Sequence, residues 1–100
     1  MNYALVTGGS RGIGAAISKE LASRGLGVLI NYRSNEEAAN KVAEEITDNG
    51  GVAELLPFDV TSESAVDEAL ECWEGAHPED RITTLVNNAG IREDNLMIFM

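Results

Sequence analysis

Four short apolar runs, Tyr3–Thr7, Gly27–Tyr32, Val52–Phe58 and Ile82–Asn87, recur about 25 to 30 residues apart, and this regularity leaves few folds open. Each is apolar on consecutive positions rather than alternating, the pattern of a strand buried on both faces. Between them lie segments of helical period. Ile13, Ala16, Ile17 and Leu21 make one apolar stripe, Ala38, Ala39, Val42, Ala43 and Ile46 a second, and Val66, Ala69, Leu70 and Trp73 a third. The punctuation agrees with this division. Gly25 follows the first helix, Ser34-x-x-Glu37 reads as a capping box for the second, Gly50-Gly51 closes it, Thr61 or Ser62 can cap the third, and Pro78 bounds it. Strand, helix, strand, helix, strand, helix, strand predicts an α/β chain with a doubly wound, Rossmann-type parallel sheet and right-handed crossovers. If the fourth strand returns beside the first, the order is 3-2-1-4 and a topological switch point lies next to strand 1, where ligands of such sheets bind.

Directly after the first strand comes Thr7-Gly8-Gly9-Ser10-Arg11-Gly12-Ile13-Gly14, with four glycines in eight positions. A glycine costs a helix or strand roughly 0.5–1 kcal/mol relative to alanine, so the cluster needs a compensating role. A helix N-terminus supplies one. It leaves about four amides without intrahelical partners, carries about half a positive charge, and can hold a diphosphate if no Cβ intervenes. Gly8 suits the tight turn, Gly12 the approach of backbone to phosphate or sugar, and Gly14 the packing of helix on strand. A P-loop is excluded, because Gly9-x-x-x-x-Gly14 is followed by Ala15-Ala16 instead of lysine and a hydroxyl residue.

The spacing T-G-x-x-x-G-x-G after strand 1, Asp59-Val60 at the end of strand 3 and Asn87-Asn88-Ala89-Gly90 after strand 4 together resemble the short-chain dehydrogenases/reductases. The resemblance implies that Gly8, Gly9, Ser10, Arg11 and Ile13 line phosphates and ribose. It puts Asp59 and Val60 at the adenine, and Asn87, Ala89 and Gly90 beside the ribose and nicotinamide. An acid at the end of strand 2 would accept a ribose 2′-hydroxyl and repel a 2′-phosphate. The chain instead offers Asn31-Tyr32-Arg33-Ser34, with Arg11 nearby in the glycine loop, so NADP(H) is expected over NAD(H).

The family's catalytic Tyr-x-x-x-Lys pair and upstream serine have no counterpart, since Tyr3 and Tyr32 are followed four residues later by Thr7 and Glu36. No catalytic residue is therefore assigned. Family members run to about 250 residues as one domain. Residues 1–100 are expected to be the N-terminal NADP-binding part of a single Rossmann-fold domain, truncated before the later strands and inactive alone. A fourth helix is expected to begin across Asp94-Asn95-Leu96-Met97-Ile98-Phe99, and strand 4 to show an unpaired edge, leaving the isolated piece prone to aggregation. The run Asn88–Met97 resembles the corresponding stretch of 3-oxoacyl-[acyl-carrier-protein] reductases. That implies NADPH-dependent reduction of an acyl-carrier-protein-linked 3-oxoacyl thioester in fatty acid synthesis, by a homotetramer. Sugar, steroid or quinone reduction, or a non-catalytic NADP sensor, are the alternatives.

Charge and composition exclude other classes. The formal net charge of −10 argues against nucleic acid as a partner. Its distribution is uneven, with four basic residues and one acid in residues 1–35 against three basic and 16 acidic residues afterwards. The glycine loop thus lies in the basic part. No apolar stretch approaches the roughly 20 residues of a membrane span. A single cysteine and the lack of a leader pattern lead us to expect a cytoplasmic protein. Cys72 and His77 have no second pair, so no metal site is expected, and Trp73 is expected in the core.

Overall fold

The computed structural model of the chain describes residues 1–8, 12–87 and 98–99. Its elements are β1 (Asn2–Thr7), α1 (Gly12–Ser23), β2 (Gly27–Ile30), α2 (Glu36–Asp48), β3 (Val52–Leu55), α3 (Glu63–Ala76), β4 (Arg81–Asn87) and β5 (Ile98–Phe99). They form one sheet in the order β3-β2-β1-β4-β5, parallel throughout except for β5. The predicted 3-2-1-4 order is therefore present, and the switch point lies between the carboxyl ends of β1 and β4.

Side chains of the central strands alternate between two cores. Val6, Val28, Ile30 and Val86 face α1 and α2, meeting Ala39, Val42 and Ile46. Tyr3, Leu5 and Leu29 face the other way, onto Trp73 of α3 with Leu56 and Phe58. Helices on both faces explain why the strands read as continuous apolar runs. Both α1 and α2 end in paired bonds around a left-handed glycine. Gly25 (φ +91°) and Leu26 donate to the carbonyls of Ala22 and Leu21, while Gly50 (φ +84°) and Gly51 donate to those of Thr47 and Ile46.

Four expectations need correction, and one open choice is decided. Asn35, not Ser34, caps α2, its side chain accepting the Ala38 amide at 3.1 Å. Ser62 is the cap of α3. The buried face of α1 runs through Gly14 and Ser18, whereas Ile13 and Ala16 are exposed. Small residues let α1 approach the sheet, and the buried Ser18 hydroxyl is satisfied by the Gly14 carbonyl at 2.8 Å. β2 and β3 are shorter than their apolar runs. The Leu56 and Phe58 amides still reach the Ile30 and Tyr32 carbonyls, but Pro57 between them has no N–H to donate. Finally, Ile98 and Phe99 are strand and not helix, pairing antiparallel with Val86 and Leu85. That pairing covers the Leu85–Val86 stretch of the β4 edge expected to be bare, because an edge's free amides and carbonyls favour any segment that can complete the ladder. The rest of the expected fourth helix, residues 94–97, lies outside the described residues.

Candidate functional site

The carboxyl ends of β1, β2 and β3 surround a cleft of about 340 Å³. Gly8, Asn31, Arg33, Phe58, Asp59 and Thr61 are among the residues that line it. A larger cleft of about 600 Å³, between α1 and α2 beside Lys19 and Glu45, lies at the opposite end of the strands, away from the switch point.

β1 delivers Gly8 to this mouth with φ +62°, and α1 opens at Gly12 with φ +55°, both in the left-handed region where a side chain is strained. Among the described residues, a Cβ at Gly12 would meet nothing within 4 Å. No acidic residue occupies the first turn of α1, whose leading amides lack intrahelical partners by geometry. That end of the helix is suited to an anion. On the far side of β1, the Thr7 hydroxyl lies 3.2 Å from Asn87 Oδ1 and 3.3 Å from the Val86 carbonyl, joining β1 to β4 at the switch point.

The tail of β3 supplies a carboxylate with a fixed direction. Asp59 Oδ1 accepts the Thr61 hydroxyl at 2.6 Å and the Thr61 amide at 2.9 Å. Oδ2 faces Arg33 Nη2 across the cleft at 3.4 Å. The Thr61 hydroxyl, then the Thr61 amide, hold the Asp59 carboxyl below its ordinary range, with a smaller contribution from Arg33 and burial opposing them. The guanidinium itself is 76% exposed and free to meet a ligand.

Of the residues predicted to bind a cofactor, Gly8, Arg33, Asp59 and Val60 are brought together around the cleft. Gly12 and Ile13 stand on the first turn of α1, Ile13 being 67% exposed, while Gly14 is buried within that helix. Asn87 is at the end of β4. Gly9, Ser10, Arg11, Ala89 and Gly90 lie outside the described residues. Sequence reading missed two residues. Thr61 reads from the sequence as a helix cap, although an aspartate two residues before a threonine is a recognisable turn signal. Asn31 was noted only for not being an acid. It is 2% exposed, with its amide bonded to Gly8, Leu56 and Phe58.

Among the described residues no group of three or more histidine, cysteine, aspartate or glutamate side chains is placed to hold a metal, and no helix is long and apolar enough to cross a membrane.

Comparison with known proteins agrees with this geometry. The chain is 42% identical over 97 residues to a 3-oxoacyl-[acyl-carrier-protein] reductase of Synechocystis sp., covering 97% of this chain and 38% of that protein. It is 43% identical over 94 residues to the short-chain dehydrogenase/reductase FrzI of Cladobotryum sp., covering 94% and 36%. Among solved structures, a metagenomic short-chain oxidoreductase in complex with NADP matches with a TM-score of 0.81 and 40% identity, over 90% of this chain and 39% of that one. The chain thus spans under two fifths of the length of these relatives. Residues 2–99, nearly the whole sequence, match the short chain dehydrogenase family, and with the cleft at the carboxyl ends of the strands in place the chain belongs to that family.

Proposed function

We propose that the chain is the cofactor-binding part of an NADP(H)-dependent carbonyl reductase acting on a 3-oxoacyl thioester carried by an acyl carrier protein. The observation that carries the cofactor reading is Arg33, three residues beyond β2 at the cleft, where a dinucleotide with a free 2′-hydroxyl would call for an acid. The residues fit such a group. Gly8 and Gly12, with no side chain, leave room for a diphosphate against the first turn of α1, with Gly9, Ser10, Arg11, Ile13 and Gly14 completing that loop and helix start. Arg33 supplies a permanent cation for a 2′-phosphate, Asp59 and Val60 border an adenine, and Asn87, Ala89 and Gly90 border the nicotinamide side. Bound there, the dinucleotide supplies hydride. The chain's own contribution is to hold it with one end fixed at Arg33 and the other directed past the end of β4.

Support for the thioester substrate is the likeness to the Synechocystis reductase and the Asn88–Met97 run. A comparable likeness to FrzI favours a second reading, in which another carbonyl compound is reduced. The test uses the protein expressed from its complete gene. NADPH is expected to bind more tightly than NADH, and acetoacetyl thioester to accelerate NADPH oxidation. Tight NADPH binding without oxidation would favour the second substrate class, and no affinity for either dinucleotide would overturn the proposal.

A further inference from the structure

Resting on the dinucleotide reading, we infer that Asn31 is a positioning residue, whose buried side-chain amide holds the two walls of the cleft at the separation the ligand needs. Asn31 is the first residue beyond β2 and only 2% exposed. An asparagine amide offers two donor hydrogens and one acceptor oxygen. Here Oδ1 accepts the Gly8 amide at 3.3 Å, while Nδ2 donates to the Leu56 carbonyl at 3.1 Å and the Phe58 carbonyl at 3.2 Å. The backbone amide of Asn31 donates to the Val6 carbonyl at 3.0 Å. One residue therefore ties the ends of β1, β2 and β3 together underneath the cleft.

On the β3 side, the Leu56 and Phe58 amides donate to the Ile30 and Tyr32 carbonyls, and the Asn31 amide takes up the carbonyls of the same two residues. Phe58 leads directly into Asp59 and Thr61, one wall of the cleft, and Gly8 leads from the other wall toward α1. An acid of the same shape fails at this position, because a carboxylate would face two carbonyl oxygens with no hydrogen to offer. Leucine would take a hydrogen-bond partner from the Gly8 amide and from both carbonyls. The site thus depends on an amide whose three side-chain hydrogen bonds all go to backbone groups of the cleft walls.

The test compares wild type and Asn31→Asp in the protein expressed from its complete gene. In Asn31→Asp the dissociation constant for NADPH is expected to rise about tenfold or more, with KM for NADPH rising alongside it and kcat holding within about twofold. A merely structural role would lower the melting temperature and the yield of folded protein while leaving KM where it was. Because the variant could fail to fold, amide hydrogen exchange at Gly8 in the ligand-free wild type gives an independent reading, and slowed exchange is expected there. Unchanged NADPH affinity in folded Asn31→Asp, or exchange at Gly8 as fast as in an open loop, overturns this inference alone. Wild type without affinity for NADPH overturns it together with the reading beneath it.

Discussion

Arg33 faces an anion of its own chain before it meets any ligand. The 3.4 Å pair with Asp59 is exposed on the arginine side, where water screens it, so it adds little to stability. Its use is directional, since it holds the guanidinium over the cleft. Arg33→Ala is expected to weaken NADPH binding about tenfold or more and to leave NADH binding within about twofold, read by dinucleotide titration of the complete protein. Equal losses for both ligands would place the 2′-phosphate elsewhere. Asp59 owes its low-lying carboxyl first to Thr61, so Thr61→Val, which keeps the amide and removes the hydroxyl, is expected to bring Asp59 back toward its ordinary range. The sign follows from linkage. A carboxyl held low in the fold contributes stability above its unfolded pKa and loses it as pH falls through the folded one. An NMR titration of Asp59 that is the same in both proteins would assign the effect to other groups. At this scale the sequence was legible in placement, since Gly8 and Arg33 both stand at the cleft to which their residue types point. It was opaque at Asn31, because a polar residue ending an apolar run gives no hint of whether it turns outward to water or inward to three backbone groups.

The elements were easier to read than their edges. Strands buried on both faces and helices with apolar stripes are forced by burial, and all four predicted strands and three predicted helices are present. Edges depend on single hydrogen bonds, which pattern does not specify. Ser34 and Asn35 both suit a cap, and only the geometry of the turn selects Asn35, whose side chain reaches the Ala38 amide. Asn35→Ala is expected to cost about 1 kcal/mol, measured by denaturant unfolding, whereas Ser34→Ala is expected to leave stability within about 0.5 kcal/mol. The reverse ranking would restore the Ser34 box. At the other end of α2, Gly50 has φ +84° with open space around it, so Gly50→Ala tests backbone strain without a clash. A loss of about 1–2 kcal/mol is expected in the same assay, and no loss would mean that the turn relaxes into a right-handed form. The face of α1 escaped the periodicity argument because helix and sheet meet through Gly14 and Ser18, which carry almost no hydrophobic signal. Ile98 and Phe99 escaped it for another reason. Two apolar residues fit either period, and only the partner beside them, β4, settles the outcome as strand.

Across the whole molecule, the ligand end and the far end of the sheet are built from opposite materials. At the carboxyl ends, polar groups border an open cleft; at the amino ends, Tyr3 closes the structure against Trp73, their rings 5.0 Å apart and at 70°. The Tyr3 hydroxyl donates to Glu54 Oε2 at 3.1 Å, and the same oxygen lies 3.2 Å from Nε2 of His77, the C-cap of α3, which stacks on Trp73. β1, β3 and α3 are thereby joined by one aromatic and carboxylate cluster at the end of the sheet opposite the Arg33–Asp59 cleft. Burial first, and then the Glu54 hydrogen bond and charge, push the Tyr3 phenol up to about 12 from an ordinary value of 10.0. The fold therefore prefers the protonated phenol. Above pH 10 the unfolded chain releases this proton while the folded one keeps it, so the stability Tyr3 contributes is intact below about pH 10 and is lost as pH rises toward 12. Other groups also add to the pH dependence of stability, and a difference experiment removes them. Stability of wild type and Tyr3→Phe, compared by denaturant unfolding at pH 8 and pH 11, is expected to fall more steeply with pH in wild type, because phenylalanine keeps the ring contact with Trp73 and has no proton to lose. Identical pH slopes in the two proteins would mean that Tyr3 titrates as a free phenol and that the Glu54 bond does not hold the amino ends of the strands together.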